Sequence, residues 1–413
     1  MPTLRFALPL WLDTRSKHKW RRHRECRGHV EADVVIVGGG ITGACLAWVF
    51  ASAGIRVALL EAARVGRGST AASTALLMQE PDKDFVELEA QHGAARTKRI
   101  WQLSRAATRG LVQTLRRLRI ACELSARDSI YYTIDDAAVR PLAREYRLRC
   151  AAGIGGTWLD AAGLRRAAGI RGAAAIRTRG NAQVNPDKAC VGLLRAAERR
   201  GARIFEGSPV RRIQRHSHRV TVSTSSGRVR ADVVLVATGY ATPEFKPLAG
   251  RFKMLQTYVV ATERLTARRR AAVGLGNVML WDTGRPYFYA RWSADHRLLL
   301  GGADRPPVGG RRRRRALSEG VETIRDYFVR LYPALAGVRL EYAWEGLFAT
   351  TPDGLPYVGP HRRYPRHLFA LGYGGNGMTF GFLAARMLLE QYRGVRSSDH
   401  RLLAFDRRRR TRR

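Results

Sequence analysis

The stretch from Asp33 to Glu61 restricts this chain more than any other. Asp33-Val-Val-Ile-Val37 is β-branched after its first residue, as expected of a strand buried on both faces. Gly38-Gly-Gly40-Ile-Thr-Gly43 closes it, residues 41–53 are helical in pattern, and Gly54 suits the position just past a helix end. Residues 56–60 read as a second strand that delivers Glu61. Together these are the parts of a dinucleotide site. Gly38 permits the tight turn, Gly40 lets backbone approach a pyrophosphate, and Gly43 lets helix and strand pack closely. Ile41 and Thr42 open the helix whose free N–H groups face the phosphates. Glu61, 23 positions after Gly38, can accept the ribose hydroxyls.

A second glycine-rich run, Gly372-Tyr-Gly374-Gly-Asn-Gly377, follows the strand-like residues 367–370 and precedes a helical pattern over 379–389. Only a helix and an arginine-rich tail come after it, so it cannot be a second dinucleotide unit. It reads as a helix N-terminus aimed at partial negative charge on a bound group, or as a plain glycine-rich turn.

With 413 residues the chain is long for one core, so two domains are expected. A helix pair is expected over 81–120 and further helices over 137–152 and 317–331. Asp160 caps a short helix within 157–169, and Asn185-Pro-Asp-Lys opens another that runs to residue 200. Strand patterns lie at 129–134, 220–225, 232–237, 256–262, 287–292 and 297–300, with a loop over 305–315. The dinucleotide-type strands are scattered along the chain. The expected fold class is therefore α/β: a Rossmann-type cofactor domain interleaved with a mostly β, α+β substrate domain. The boundaries are 32–80, 183–243 and 345–395 for the first, and 81–182 with 244–344 for the second. Residues 1–31 read as a weakly structured basic extension that packs Trp11-Leu12 on the body, and 396–413 as a basic tail.

Charge is the unusual part of the composition. Lys+Arg total 73 against 34 Asp+Glu, a formal charge of +39. Only seven of the basic residues are lysine, which leaves 66 arginines. A phosphate-binding surface generally keeps both bases, so compositional drift is preferred over a nucleic-acid or membrane partner. Five cysteines without metal-type spacing fit a reducing cytoplasm and no metal site. The apolar patch at residues 6–12 is short for a signal segment and lacks a cleavage site, so a cytoplasmic protein is expected.

These motifs resemble the D-amino-acid oxidase/glycine oxidase-like flavoprotein oxidoreductases, over nearly all of residues 33–392. Gly68-Ser69-Thr70-Ala-Ala-Ser73-Thr74-Ala75 is similar to the segment that wraps the flavin in that family. Val210 matches the strand position whose backbone meets adenine, and Ala237-Thr238-Gly239 the turn that ends the sheet near the cofactor. Thr351-Pro-Asp-Gly-Leu-Pro356 resembles the run before the final flavin-binding helix, whose start matches Gly375, Asn376, Gly377, Met378 and Thr379. The resemblance implies FAD and oxidation of a carbon–nitrogen bond by hydride transfer to flavin N5. Reduced flavin carries negative charge near N1, which a helix N-terminus would stabilise. Relatives that attach FAD use a late cysteine or a histidine after the second strand. Here the last cysteine is Cys190 and residues 62–80 hold no histidine, so non-covalent FAD is expected. The strand matched to an oxygen-assisting lysine, residues 297–301, has none, which leaves oxygen or another acceptor open.

Substrate binding needs a polar anchor and exclusion of water. Tyr287, Tyr289 and Arg291 alternate on one strand and could hold a carboxylate, with Tyr258 from a neighbouring strand. The expected catalytic set is Tyr258, Tyr289 and Arg291, while His361 and His367 read as exposed loop residues. The expected activity is FAD-dependent oxidation of a small amine or amino acid. A 2-hydroxy-acid or polyol-phosphate dehydrogenase, and a flavoprotein acting on RNA, are the alternatives.

Overall fold

The computed structural model describes residues 4–14 and 22–407. Six strands form one sheet in the order Tyr357–His361, Tyr364–Leu371, Val233–Gly239, Val34–Val37, Val57–Leu60 and Arg203–Phe205. All neighbours run parallel except the first pair. Its central strands are apolar throughout because both faces are covered. Val34, Ile36, Val57 and Leu59 pack under the helices Ile41–Ser52, Pro186–Glu198 and Gly377–Tyr392. Val35, Ala58, Val234 and Val236 face the other way, against Val30, Val220, Val222 and Val229. Those four belong to a small sheet ordered Arg212–Arg215, Val220–Ser223, Gly227–Ala231, Gly28–Glu31.

A ten-stranded sheet makes the second layer system. Its order is Arg5–Phe6, Leu340–Thr350, Lys253–Thr262, Leu298–Arg305, Tyr289–Trp292, Met279–Asp282, Ser125–Thr133, Ala174–Gln183 and Leu76–Leu77, with Thr157–Asp160 on Ala174–Gln183. Ile324 and Phe328 of the helix Arg312–Leu331 pack on one face of it, against Tyr258, Val260 and Leu300. The mixed α/β architecture read from the sequence is the one observed.

Local signals act as expected. Asp160 accepts from Gly163 N at 2.7 Å, and Asn185 accepts from Lys188 N at 3.1 Å, each starting its helix. The N-terminal extension is more ordered than its composition suggested. Gly28–Glu31 pairs with Gly227–Ala231, Arg5–Phe6 pairs with Tyr342 and Ala343, and Leu10 and Trp11 are only 1% and 3% exposed. Each strand there buries too few apolar residues to leave a periodic signature. Trp11 Nε1 donates to the Ser73 carbonyl at 2.9 Å.

The arginine runs also differ from expectation. Arg305 ends a strand, and Arg312 already opens the helix expected from residue 317. Cations disfavour a helix N-terminus. Here Arg315 pairs with Glu319 at 2.9 Å, Arg305 with the same residue, and Arg313 with Glu345. Arg407, counted in the basic tail, has a side chain only 4% exposed, in a two-pronged contact with Asp353 at 2.6 Å. Residues 398–402 of the expected tail form a short helix, and only 408–413, with the basic run at 15–21, lie outside the described residues. His367 is buried in its strand, with Nδ1 2.9 Å from the Pro365 carbonyl, rather than in an exposed loop. Among the described residues no helix is long and apolar enough to cross a membrane.

Candidate active site

One cavity runs from the Gly38 turn, along the C-terminal ends of the parallel strands, to the inner face of the ten-stranded sheet. At its first end the glycines are dictated by geometry. Gly38 has φ +107°, and a Cβ there would lie 2.7 Å from the Ala237 carbonyl oxygen. A Cβ on Gly43 would overlap the Gly38 carbonyl, so only glycine lets this helix pack on its strand. Gly40 starts the helix without a side-chain cap, which keeps its first N–H groups available to a ligand. Ile41 N is the exception, donating to Thr70 Oγ1 at 2.9 Å. Glu61 ends the second strand on the cavity wall, accepting from Gly39 N at 2.7 Å and Ala63 N at 2.9 Å. Uncapped amides beside a glycine cradle and a carboxylate at the end of the neighbouring strand suit a pyrophosphate with its ribose.

The middle of the cavity is closed by two segments. Residues 68–74 fold over it, and Ser69 Oγ donates to the Leu347 carbonyl at 2.7 Å. Opposite lies the N-terminus of Gly377–Tyr392, again without a side-chain cap. The Asn376 side chain is used otherwise. Its Nδ2 donates to the carbonyls of Met78 and Glu80, at 3.0 and 2.9 Å, clamping that segment to the helix.

The far end is a wall of side chains. Trp281, Tyr287 and Tyr289 line it together with Thr257, Asp82 and Asp304. Tyr289 Oη lies 3.2 Å from Thr257 Oγ1. Asp82 accepts from Gly375 N at the helix terminus. Burial pushes the Asp82 carboxyl up to about 7, with the Gly375 N–H opposing and the Asp304 charge reinforcing the rise. Burial likewise raises Asp304 to about 6, with the nearby Thr257 hydroxyl opposing the rise.

A family model described as FAD dependent oxidoreductase (DAO) matches residues 33–391. The chain belongs to this family. It is an FAD-dependent oxidoreductase, and its cofactor is FAD. The chain is 29% identical over 380 residues to the gamma-glutamylputrescine oxidoreductase of Escherichia coli (strain K12), covering 88% of this chain and 84% of that protein. It is 26% identical to the glycine oxidase of Bacillus licheniformis, covering 88% and 93%. Among solved structures, the glycine oxidase from Geobacillus kaustophilus superposes with a TM-score of 0.75 at 22% identity, covering 89% and 96%.

Most residues expected to touch FAD line the cavity: Gly38, Gly40, Ile41, Thr42, Glu61, Gly68, Ser69, Thr70, Ser73, Thr74, Val210, Ala237, Thr238, Gly239, Gly375, Asn376, Gly377 and Met378. Val210 does so from the segment between two strands rather than from a strand. Gly43, Ala75 and Thr379 stand behind the wall. Gly43 packs on Gly38, Ala75 N donates to Ser73 Oγ at 2.9 Å, and Thr379 Oγ1 donates to the Met78 carbonyl at 2.9 Å.

Two of the three expected catalytic residues are elsewhere. Tyr258 is fully buried under the helix Arg312–Leu331, because alternation along Lys253–Thr262 sends Thr257 to the cavity and Tyr258 to the opposite face. Arg291 shares the face of Tyr289 but lies two residues farther along, past the end of the cavity. Its guanidinium donates to the carbonyls of Thr74 at 2.5 Å, Val184 at 2.7 Å and Trp292 at 3.2 Å. Burial lowers it to about 9, with Glu123 opposing. It ties the segment 68–74, which closes the middle of the cavity, to the sheet and offers no hand to a substrate. Tyr289 is on the wall, joined by Tyr287. Asp82, Asp304, Thr257 and Trp281 were not expected. The only nearby signal pointed to Tyr289 and not to these four: Gly301-Gly302 interrupts a strand, and a Cβ on either would strike the ring of Tyr289 or Phe288. Paired glycines in a strand mark a close approach by a large group.

Proposed function

We propose that this FAD enzyme oxidises a carbon–nitrogen bond of a small amine or amino acid. The observation that supports this best is the single cavity that joins the dinucleotide turn to an aromatic wall holding two carboxyl groups. When bound, FAD supplies a two-electron acceptor at N5. The residues of the chain then have three tasks. Trp281, Tyr287 and Tyr289 exclude water and hold the substrate against the ring position. The uncapped terminus at Gly377 would stabilise negative charge on the reduced cofactor. Polar side chains at the inner end orient the nitrogen. A neutral amine loses the hydrogen of its carbon with the bonding pair, its lone pair closes the C=N bond, and water then hydrolyses the imine to a carbonyl and ammonia or a smaller amine. The names of the relatives, an oxidoreductase of gamma-glutamylputrescine and oxidases of glycine, favour this bond over a C–O bond.

On this reading the cofactor domain comprises residues 32–80, 183–243 and 345–395. FAD is held without a covalent link, and the electron acceptor is oxygen or another oxidant. Five free cysteines among the described residues suit a reducing cytoplasm. Exposed arginines such as Arg116, Arg144, Arg212, Arg269 and Arg314 stand on five separate elements, which favours drift in composition over an RNA-binding face. The test is the visible flavin spectrum of the purified protein, titrated without air with amines, amino acids and hydroxy acids. Bleaching by a nitrogen compound is the expected result. Bleaching by hydroxy acids alone would sink the proposal.

A further inference from the structure

The charge of the inner cavity wall decides which nitrogen compounds fit, and this inference rests on the carbon–nitrogen reading above. An enzyme for α-amino acids must accommodate a carboxylate beside the reacting carbon, which calls for a cation or a set of donors. The cavity wall has one cationic side chain among the described residues, Arg67. It lies beside Gly66, whose N–H donates to the Gly39 carbonyl at 2.9 Å, and so stands at the dinucleotide end.

Every other arginine near the inner end is engaged elsewhere. Arg291 is held by three backbone carbonyls. Arg305 pairs with Glu319 at 2.9 Å and lies over the buried Tyr258 ring. Arg285 stands behind Tyr287, 6.0 Å from its ring centre, and pairs with Asp84 at 3.3 Å and Glu87 at 3.8 Å. The inner wall itself carries Asp82 and Asp304. Asp304 Oδ1 is shut off from solvent and has no hydrogen-bond partner. Around these acids stand the three aromatic rings of Trp281, Tyr287 and Tyr289, with Tyr287 6.1 Å from both of the others. Carboxylates behind aromatic faces make a site for an ammonium group.

We propose that Asp82 and Asp304, with this aromatic wall, select an alkylammonium substrate that has no carboxylate on its reacting carbon. The two acids bind the charged form and can take up the proton that an ammonium must lose before its carbon is oxidised. An α-carboxylate placed there meets like charge, and the nearest cation, Arg285, reaches Asp82 only from across the Tyr287 ring while paired with Asp84 and Glu87.

Two measurements test this on the FAD-loaded enzyme. In the first, benzyltrimethylammonium, which has no oxidisable N–H form, is titrated while the flavin spectrum is followed, with benzoate as the anionic counterpart. The cation is expected to perturb the spectrum and benzoate to leave it unchanged. Asp82→Asn and Asp304→Asn should each weaken the cation at least about tenfold, about 1.4 kcal/mol, with the ratio of flavin to protein absorbance unchanged. In the second, anaerobic bleaching rates are compared for butylamine, 1,4-diaminobutane and a set of α-amino acids. The amines are expected to lead by at least about a hundredfold in apparent second-order rate constant. Tight benzoate binding, or faster bleaching by α-amino acids, would overturn the acid-pair assignment while leaving carbon–nitrogen oxidation standing. Bleaching by hydroxy acids alone would remove both.

Discussion

The two ends of the cavity are built from different materials. The dinucleotide end is made of backbone: glycines that admit no Cβ, helix N–H groups and a strand-end carboxylate, nearly all within residues 38–70. The substrate end is made of side chains drawn from residues 82, 257, 281, 287, 289 and 304, brought together by the pairing of distant strands. A backbone site tolerates almost no substitution but leaves a compact local signature. A side-chain site can be altered residue by residue and leaves almost none.

That contrast can be broken at its strong end first. Gly43→Val drives a side chain into the Gly38 carbonyl. It should cost about 4 kcal/mol in FAD affinity, roughly a thousandfold, read as a colourless protein whose cofactor dissociates on dialysis. A variant that stays yellow with unchanged affinity would show that helix and strand can part without loss of the site.

Arg291 sharpens the comparison, because it sits on a substrate-side strand yet serves the cofactor side. Arg291→Met takes this donor from the Thr74 and Val184 carbonyls, while the Trp292 carbonyl keeps Gln183 Nε2 at 2.8 Å, a loss of about 2–4 kcal/mol. Lower Tm and weaker FAD binding are expected, with the preference between amines and amino acids unchanged. A changed preference would return Arg291 to the substrate site.

The acids of the far end give a pH signature. Both carboxyls are raised, so they lose their charge as pH falls through about 7 for Asp82 and about 6 for Asp304. Binding of an ammonium probe should therefore weaken about tenfold between pH 8 and pH 5.5, about 1.4 kcal/mol. The same shift acts on stability with the opposite benefit. An unfolded aspartate ionises near 3.8, so the folded state holds the extra proton from there to about pH 7, and stability falls as pH rises across that window. Asp82→Asn should accordingly raise Tm by on the order of 1–3 °C at pH 8 and leave it unchanged at pH 4, by calorimetry.

The smallest effect tests the strand register. The Tyr258 hydroxyl is buried without a partner. Tyr258→Phe should thus leave turnover intact and stabilise the protein by about 1 kcal/mol, seen as a higher midpoint in urea. A fall in turnover would place Tyr258 back in the mechanism.

These outcomes bear on how much could be read from the sequence. Gly38, Gly43 and Glu61 were legible because each answers a local demand set by its immediate neighbours. So were Asp160 and Asn185, whose capping contacts span three residues. Tyr258 was misassigned by a single step, since one residue of register exchanges the two faces of a strand. Asp304 and Asp82 could not be paired by inspection, because their meeting depends on Lys253–Thr262 lying beside Leu298–Arg305 and on Asp82 reaching Gly375. Arg407 was hidden by its company: in a chain with 66 arginines, the one that stacks 4.1 Å from Tyr357 and bridges Asp353 looks like the rest.

The pairing of Arg5–Phe6 with Tyr342 and Ala343 also has a consequence for synthesis. A segment made early finds its partners only when most of the chain has followed it. At a ribosomal rate of about 5–20 residues per second, Leu10 and Trp11 wait roughly 20–70 s before the strand that covers them exists. Over that interval two large apolar side chains lack the last part of their cover, so the yield of this enzyme in a cell should respond to translation speed and to the supply of chaperones that shield nascent chains.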